Sequence, residues 1–266
     1  METLKVSIIM SVYNGEEFLK DSILSVLDQT YKDFEFIVVN DGSSDSSSKI
    51  LEDFQKNDSR IKIVNNNQNL GLTKSLNVGF IESKGEYIAR LDAGDISLPE
   101  RIEKQVNFLD THKDIGLVGS WMYIINTKGE IIDNIKYPTE DKEIKKDLIN
   151  YNPFVHSSIM FRKELASSIN FYDEDYKYAQ DYSFYFKLLP YIKFANIPET
   201  LVQYRKSPKS ITSTKNKLQM SFANKARINA IKLGYYSKWN YIYVIKNYLI
   251  SLIPTKIKFL IKTVIK

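Results

Sequence analysis

Four short apolar runs divide the first 95 residues: Val6–Val12, Phe34–Val39, Ile61–Val64 and Glu86–Leu91. Each is short and rich in β-branched residues, the signature of a strand covered on both faces. Helical spacing fills the gaps. Phe18, Leu19, Ile23, Val26 and Leu27 recur at helical intervals between Glu16 and Gln29, and helices are also expected over about 45–56 and 72–83. This β-α-β-α-β-α-β alternation predicts a parallel sheet with helices on both faces, a three-layer α/β/α chain. Ligands of such sheets sit beyond the carboxyl ends of the strands. Three of those ends are polar: Tyr13-Asn14, Asp41, and Asp92 with Asp95. Asn, Asp and Gly also serve as ordinary turn residues, but three such clusters along one sheet edge favour a binding site.

Composition narrows the chemistry. The chain has 266 residues, no cysteine and only two histidines, His112 and His156. Disulfide scaffolds, thiolate metal sites, cysteine nucleophiles and multi-histidine metal sites are excluded. The N-terminal apolar stretch is too short for a signal peptide, and no apolar run reaches the ~18–20 residues that span a bilayer. The net charge of +5 conceals an asymmetry. Residues 1–199 carry −9, whereas residues 200–266 carry +14 and no acidic residue. Two regions with different tasks are expected, with a boundary near residue 212: a catalytic domain over 1–212 and a basic helical extension over 213–266.

Beyond residue 95, Pro99 opens a helix and residues 116–137 read as strands around the turn Thr127-Lys128-Gly129. A charged helix is expected over 140–150, an alternating strand carrying His156 over Val155–Phe161, and a helix over Ala179–Leu189. Two short strands over Ile192–Asn196 and Thr200–Arg205 close the pattern, and 206–216 reads as a mobile loop.

Four ordered motifs then carry a resemblance. They are Ser7-Ile8-Ile9-Met10-Ser11-Val12-Tyr13-Asn14, Val39-Asn40-Asp41-Gly42-Ser43-Ser44-Asp45, Asn69-Leu70-Gly71-Leu72 and Arg90-Leu91-Asp92-Ala93-Gly94-Asp95. Together with Pro153–Lys163 and Gln180-Asp181-Tyr182, they resemble the inverting family 2 glycosyltransferases over about residues 4–212. The resemblance implies a GT-A (Rossmann-like) fold with a mixed sheet, a nucleotide-diphosphate-sugar donor and a glycan or lipid-linked glycan acceptor. It is closest to the subgroup that adds single sugars to surface glycans.

The same resemblance distributes roles over this sequence. Val12, Tyr13, Asn14, Asp41, Lys74 and Asp92 fall on the donor-nucleotide side. Asp41 would accept the N–H of a base such as uracil, and Tyr13 would offer a ring for packing. Asp181 would be the general base that takes the acceptor hydroxyl's proton; a helix-capping aspartate is the plainer alternative. Trp121 and His156 would lie on the acceptor side, although a core tryptophan or histidine fits the same pattern. Asp92 and Asp95, with Arg205 and Lys206, would hold a metal or the diphosphate.

Two departures bear on the metal. Gly94 stands where the family usually has an ion-binding carboxylate, and Ser207 stands where it often has a histidine. A divalent ion (Mn2+ or Mg2+) held by Asp92 and Asp95 remains one reading; partial replacement by the basic segment 205–209 is another. A catalytically weak or inactive nucleotide-sugar-binding protein is the alternative function.

The extension interleaves lysines with Tyr235, Tyr236, Trp239, Tyr241, Tyr243 and Tyr248. Nucleic acid or an anionic membrane would fit such a surface. The helical spacing of Ile257, Leu260, Ile261, Val264 and Ile265 beside lysines favours the membrane, and no nucleic-acid partner is expected. The protein is therefore expected at the inner face of the cytoplasmic membrane, as a peripheral protein.

Overall fold

A computed structural model describes residues 4–208 and 210–252. The expected alternation is present. Strands β1 (Val6–Val12), β2 (Phe34–Asn40), β3 (Ile61–Asn65) and β4 (Tyr87–Arg90) alternate with helices α1 (Leu19–Leu27), α2 (Ser47–Asn57) and α3 (Leu72–Glu82). Then follow β5 (Ile96–Ser97), α4 (Arg101–Thr111), β6 (Ile115–Ile125), β7 (Ile131–Ile135), α5 (Asp141–Leu148), β8 (Met160–Arg162) and α6 (Lys163–Ser168). The chain continues through α7 (Gln180–Leu188), β9 (Lys193–Arg205), α8 (Ile211–Thr214), α9 (Asn216–Lys232) and α10 (Tyr241–Leu252).

Among the described residues the strands form one sheet in the order β3-β2-β1-β4-β8-β6-β9-β5, with β7 paired to β6. β1 pairs in parallel with both β2 and β4, so the chain reverses its direction of travel across the sheet between β1 and β4. A crevice opens beyond the strand ends at such a point. β8 is antiparallel to β4 and to β6, which makes the sheet mixed.

Alternating side chains feed two cores. Ile9, Ile88, Leu117 and Phe161 point to one face, against α3, α5, α7 and α9. Ile8, Met10, Ala89, Val118 and Met160 point to the other, against α1, α2 and α4. This is the period-two geometry of a strand buried on both faces, and it explains why these runs lack polar alternation.

Three expectations need correction. The stretch Val155–Phe161 is not one strand. His156–Ser158 forms a 3-10 turn, held by Ser158 N–H to Val155 O at 2.9 Å, and only Met160–Arg162 pairs with the sheet. The expected strands over 192–196 and 200–205 are one strand, β9. Its pairing with β6 steps from Ser120↔Ile197 to Trp121↔Thr200, so Pro198 and Glu199 are accommodated as an irregularity. The expected loop 206–216 includes the single turn α8.

The basic extension is partly core. Ala226, Ala230 and Ile231 of α9 join the cluster that contains Leu148 and Tyr182. Arg227, counted above among the tail's cations, is buried. It donates to Ile149 O at 2.9 Å and Asn150 O at 3.1 Å and lies 4.7 Å above the Tyr182 ring. Tyr236 donates its hydroxyl to Lys145 O at 2.6 Å. The residues expected to form a terminal amphipathic segment, 257–265, lie outside the described residues.

Phe80 ties the two halves of one core together, meeting Phe161, Phe171 and Tyr172 with ring centroids 5.0–5.8 Å apart. Phe80→Ala should cost about 3–5 kcal/mol of unfolding free energy, measured by urea denaturation.

Candidate active site

The first element of the site is built from loops stitched across the ends of β1 and β2. Asn14 adopts a left-handed backbone, φ 50°. Its side-chain carbonyl accepts Ser44 N–H at 2.8 Å, and its own N–H donates to Ser43 Oγ at 3.1 Å. Glu16 and Asp45 exchange bonds with each other's loops at 2.9–3.0 Å. Tyr13 is exposed beside them, and Val12 is buried, its carbonyl accepting Asp41 N–H at 2.8 Å.

Asp41 is buried, and its carboxylate accepts Asn66 Nδ2 and Leu70 N at 2.8 Å and Gly71 N at 2.9 Å. The aspartate therefore fixes the loop that starts α3. Gly42 serves the same closure: at φ +70°, a Cβ there would stand 2.7 Å from the Gln68 backbone. Lys74, one turn into α3, is half-exposed and lies 4.0 Å from the Glu174 carboxylate.

The second element is the loop after β4. Arg90 is fully buried, and its guanidinium donates to Ile9 O, Leu91 O and Asp92 Oδ1. Its Nε also faces His156 Nε2 at 3.4 Å, and Tyr172 Oη lies 2.7 Å from the same nitrogen. Arginine can only donate, so Nε2 is the acceptor and the imidazole proton belongs on Nδ1. Nδ1 lies 3.5 Å from Asp92 Oδ2. His156 therefore orients Asp92.

Asp92 keeps 35% of its side chain exposed. Burial on its remaining sides raises its pKa, but Arg90, His156 and Ser157 outweigh this and hold the carboxyl well below the usual range. Asp95 has the opposite character. It is only 4% exposed, its Oδ1 accepts Arg205 N–H at 2.9 Å, and its Oδ2 bonds Ser157 Oγ. Burial first, then the Asp92 charge, push it up to about 7. Two carboxylates three residues apart thus have separated affinities for the proton.

Gly94 turns the loop between them at φ +108°, and a Cβ there would meet nothing within 4 Å. Space is not what excludes a side chain; the backbone angle is what disfavours one. Arg205 locks this turn. Its Nε donates to Gly94 O at 2.9 Å, its Nη2 to Asp21 Oδ2 at 3.1 Å, and it lies 4.5 Å above the Phe18 ring. Lys206 is exposed next to it, its N–H bound to Ile125 O at 2.8 Å.

The third element is the start of α7. Asp181 does not occupy the helix-capping position, which falls at Ala179, and no side chain caps that end. Its carboxylate instead accepts Asn152 Nδ2 at 2.8 Å and lines a cavity of about 300 Å3. Thr212, Gln219, Met220 and Asn247, from α8, α9 and α10, form the facing wall. The Tyr172 and Tyr185 hydroxyls are pushed up by burial, then by Asp181, with Asp92 adding to the effect. One buried aromatic layer therefore lies within the fields of both carboxylates. Trp121 is not among the residues lining this cavity. Its indole donates to Tyr137 O at 2.9 Å, with the Lys136 ammonium 5.0 Å from the ring.

Sequence reasoning missed Arg90, Ser157 and Tyr172 as organisers of the site. Arg90 was within reach, since it stands two residues before Asp92 inside a quoted motif. Ser157 likewise lies within the matching stretch Pro153–Lys163, whereas Tyr172 carries no local signal.

The sheet is of the GT-A glycosyltransferase type, and the crevice at the β1/β4 reversal, bordered by Asp92, is its candidate active site. Residues 7–169 match the family model "Glycosyl transferase family 2", and the chain belongs to that family; it is a glycosyltransferase. It is 35% identical over 210 residues to the Escherichia coli O-antigen biosynthesis glycosyltransferase WbnJ, covering 77% of this chain and 81% of that one. Among solved structures it is similar to Staphylococcus aureus TarS 1-349 in complex with UDP-GlcNAc: TM-score 0.67, 18% identity, 91% of this chain and 79% of that one. It is also similar to the Pyrobaculum calidifontis mannosyltransferase PcManGT in complex with GDP-Man and Mn2+: TM-score 0.65, 14% identity, 97% and 79%.

The raised Asp95 gives a pH test. Its folded-state pKa near 7 lies above the unfolded value of about 3.9, so the folded state holds this proton more tightly. The stability this supplies is complete below about pH 4 and is lost as pH rises through about 7. Urea unfolding of the protein and of Asp95→Asn should diverge over that window, the variant lacking this component of the decline.

Proposed function

We propose that the protein is an inverting glycosyltransferase that moves a sugar from a UDP-sugar to a hydroxyl of a growing cell-surface glycan, with Asp181 as general base. The observation that carries this reading is Asp181 itself, a partly exposed carboxylate at a cavity wall, oriented by Asn152. Inversion requires one base on the side opposite the leaving group, and no second carboxylate lines this cavity. Asn152 would hold the carboxylate toward the acceptor hydroxyl while that oxygen attacks the sugar's anomeric carbon.

On the donor side, Tyr13 would pack on the base, and Asp41 with the loop it fixes would form the floor beneath it. Asn14, Val12 and Lys74 would border the nucleotide, and Asp92, held by Arg90 and His156, would face the ribose and diphosphate. TarS was solved with UDP-GlcNAc, which supports a UDP-sugar; PcManGT was solved with GDP-Man, which makes GDP the comparison to test. The likeness to WbnJ supports an acceptor in surface-polysaccharide assembly. We place the enzyme at the cytoplasmic face of the membrane, with residues 1–212 as catalytic unit and 213–266 as the basic extension. Among the described residues no helix is long and apolar enough to cross a membrane.

The metal question turns on Asp95. With both oxygens bonded and the side chain buried, it is a strut of the loop. Gly94 supplies no ligand, and no group of three His, Cys, Asp or Glu able to hold an ion is present among the described residues. The chain therefore offers one carboxylate, Asp92, which fits an ion that takes its other ligands from phosphate and water. Such an ion would add positive charge beside the leaving diphosphate. Arg205, fixed on the Gly94 carbonyl, and exposed Lys206 would carry part of that charge themselves.

Two measurements follow. Asp181→Asn should lower turnover by about 10²–10⁴-fold while the calorimetric affinity for UDP changes less than about twofold; near-normal turnover would reassign the base, and tighter binding of GDP than UDP would reassign the donor. Donor hydrolysis or transfer in EDTA should fall but persist, and Arg205→Met should remove the remainder. Complete loss in EDTA, restored by Mn2+, would overturn the shared role of Arg205 and Lys206.

A further inference from the structure

Helix α10 has two unlike faces. Tyr243 and Val244 pack on the core, and Asn247 lines the Asp181 cavity. At 100° per residue, Ile242, Ile245 and Leu249 lie on the opposite side. They are 65%, 58% and 55% exposed, and Trp239, in the 3-10 turn just before the helix, is 90% exposed. Three large apolar side chains thus stand on one outward face of the helix, with a fourth, Trp239, exposed just before it, which is not how scattered surface apolar residues are distributed.

The extension that carries this face is basic throughout its sequence. Lys232, Lys238 and Lys246 are exposed on the same extension. No acidic residue occurs anywhere from residue 200 onward, and residues 253–266, which continue from α10, add four lysines. Exposed aromatic and aliphatic side chains on an extension that also exposes lysines match the boundary between anionic headgroups and acyl chains: the apolar groups enter the acyl edge and the ammoniums meet phosphate. A second copy of the chain would bring the same positive charge against itself.

We propose that the outer face of α10, formed by Trp239, Ile242, Ile245 and Leu249, is a docking surface for an anionic phospholipid bilayer. This rests on the reading of the protein as a membrane-face glycosyltransferase and assigns the contact to particular residues. The consequence is positional. The same helix contributes Asn247 to the Asp181 cavity, so docking sets that cavity about one helix diameter, ~10 Å, from the headgroups.

The test is co-sedimentation of the full chain with phosphatidylcholine vesicles, with and without phosphatidylglycerol. The protein should partition to the phosphatidylglycerol vesicles only. The combined variant Trp239→Ser, Ile242→Ser, Ile245→Ser and Leu249→Ser should lower the partition coefficient at least about tenfold. Its UDP affinity by calorimetry and its circular dichroism should match the parent, which reads folding and the donor assignment separately from docking. In the parent, brominated phosphatidylglycerol should quench tryptophan emission, and Trp239→Phe should remove that quenching. Unchanged partitioning of the variant would overturn the proposal. So would loss of binding only on removal of residues 253–266, or a parent that self-associates through this face without binding vesicles.

Discussion

The site depends on one buried cation. Arg90 ends β4, with its guanidinium beneath the loop that follows, fully shielded from water. An isolated charge there would be costly, and the surrounding structure repays it with oriented acceptors. Two are main-chain carbonyls, Ile9 on the neighbouring strand and Leu91. The third is the Asp92 carboxylate and the fourth is His156. The parallel pairing of β1 with β4 is what brings the Ile9 carbonyl to this point. The sheet topology places this guanidinium, and the histidine tautomer and carboxylate orientation follow from satisfying it.

A second buried arginine extends the arrangement. Arg101, at the start of α4, donates to Arg90 O at 2.7 Å and Ile159 O at 3.2 Å and to Gln105 at 3.0 Å. Burial and the Arg90 charge pull it down to about 9. Its Nη1 is buried and lacks a partner. Positive charge is thus concentrated below Asp92 and Asp95, on the side away from the crevice. Arg90 holds Asp92 low against the burial that raises it, while burial and the Asp92 charge push Asp95 up despite the bonds it accepts from Ser157 and the Arg205 amide. The loop meets its ligand with one exposed anion and a frame of fixed dipoles and cations.

Legibility followed the range of the interactions. The four N-terminal strands and the helices between them were readable because burial on both faces demands continuous apolar runs, and that demand is local. The strand ends were readable for the same reason, since polar residues are tolerated only where the sheet stops. What failed was non-local. Pro198-Glu199 looked like a break between strands, but β6 spans the irregularity and keeps β9 whole. The stretch around His156 looked like a strand because its apolar residues alternate. Ser157 instead bonds to the Asp92–Asp95 loop, and that contact, more than sixty residues away in sequence, bends the chain into a turn. Arg227 read as one more cation of a basic tail, and only the carbonyls at the end of α5 reveal it as a core residue.

The charge asymmetry of the chain acquires a physical meaning from this. The positive segment is not a uniform surface appended to an acidic domain. Its first charge, Arg205, clamps the Gly94 turn; a later one, Arg227, anchors α9 beneath the Asp181 cavity. Both act inward, the first on the loop that carries Asp92 and Asp95, the second at the lining of the Asp181 cavity. Lys232, Lys238 and Lys246 are exposed on the same extension as the apolar side of α10. A helix with Asn247 at the Asp181 cavity on one face and Ile242, Ile245 and Leu249 on the other joins the surface to that cavity through a single element. Anything that grips the outer face acts on the cavity through this helix, which Tyr243 and Val244 pack against the core.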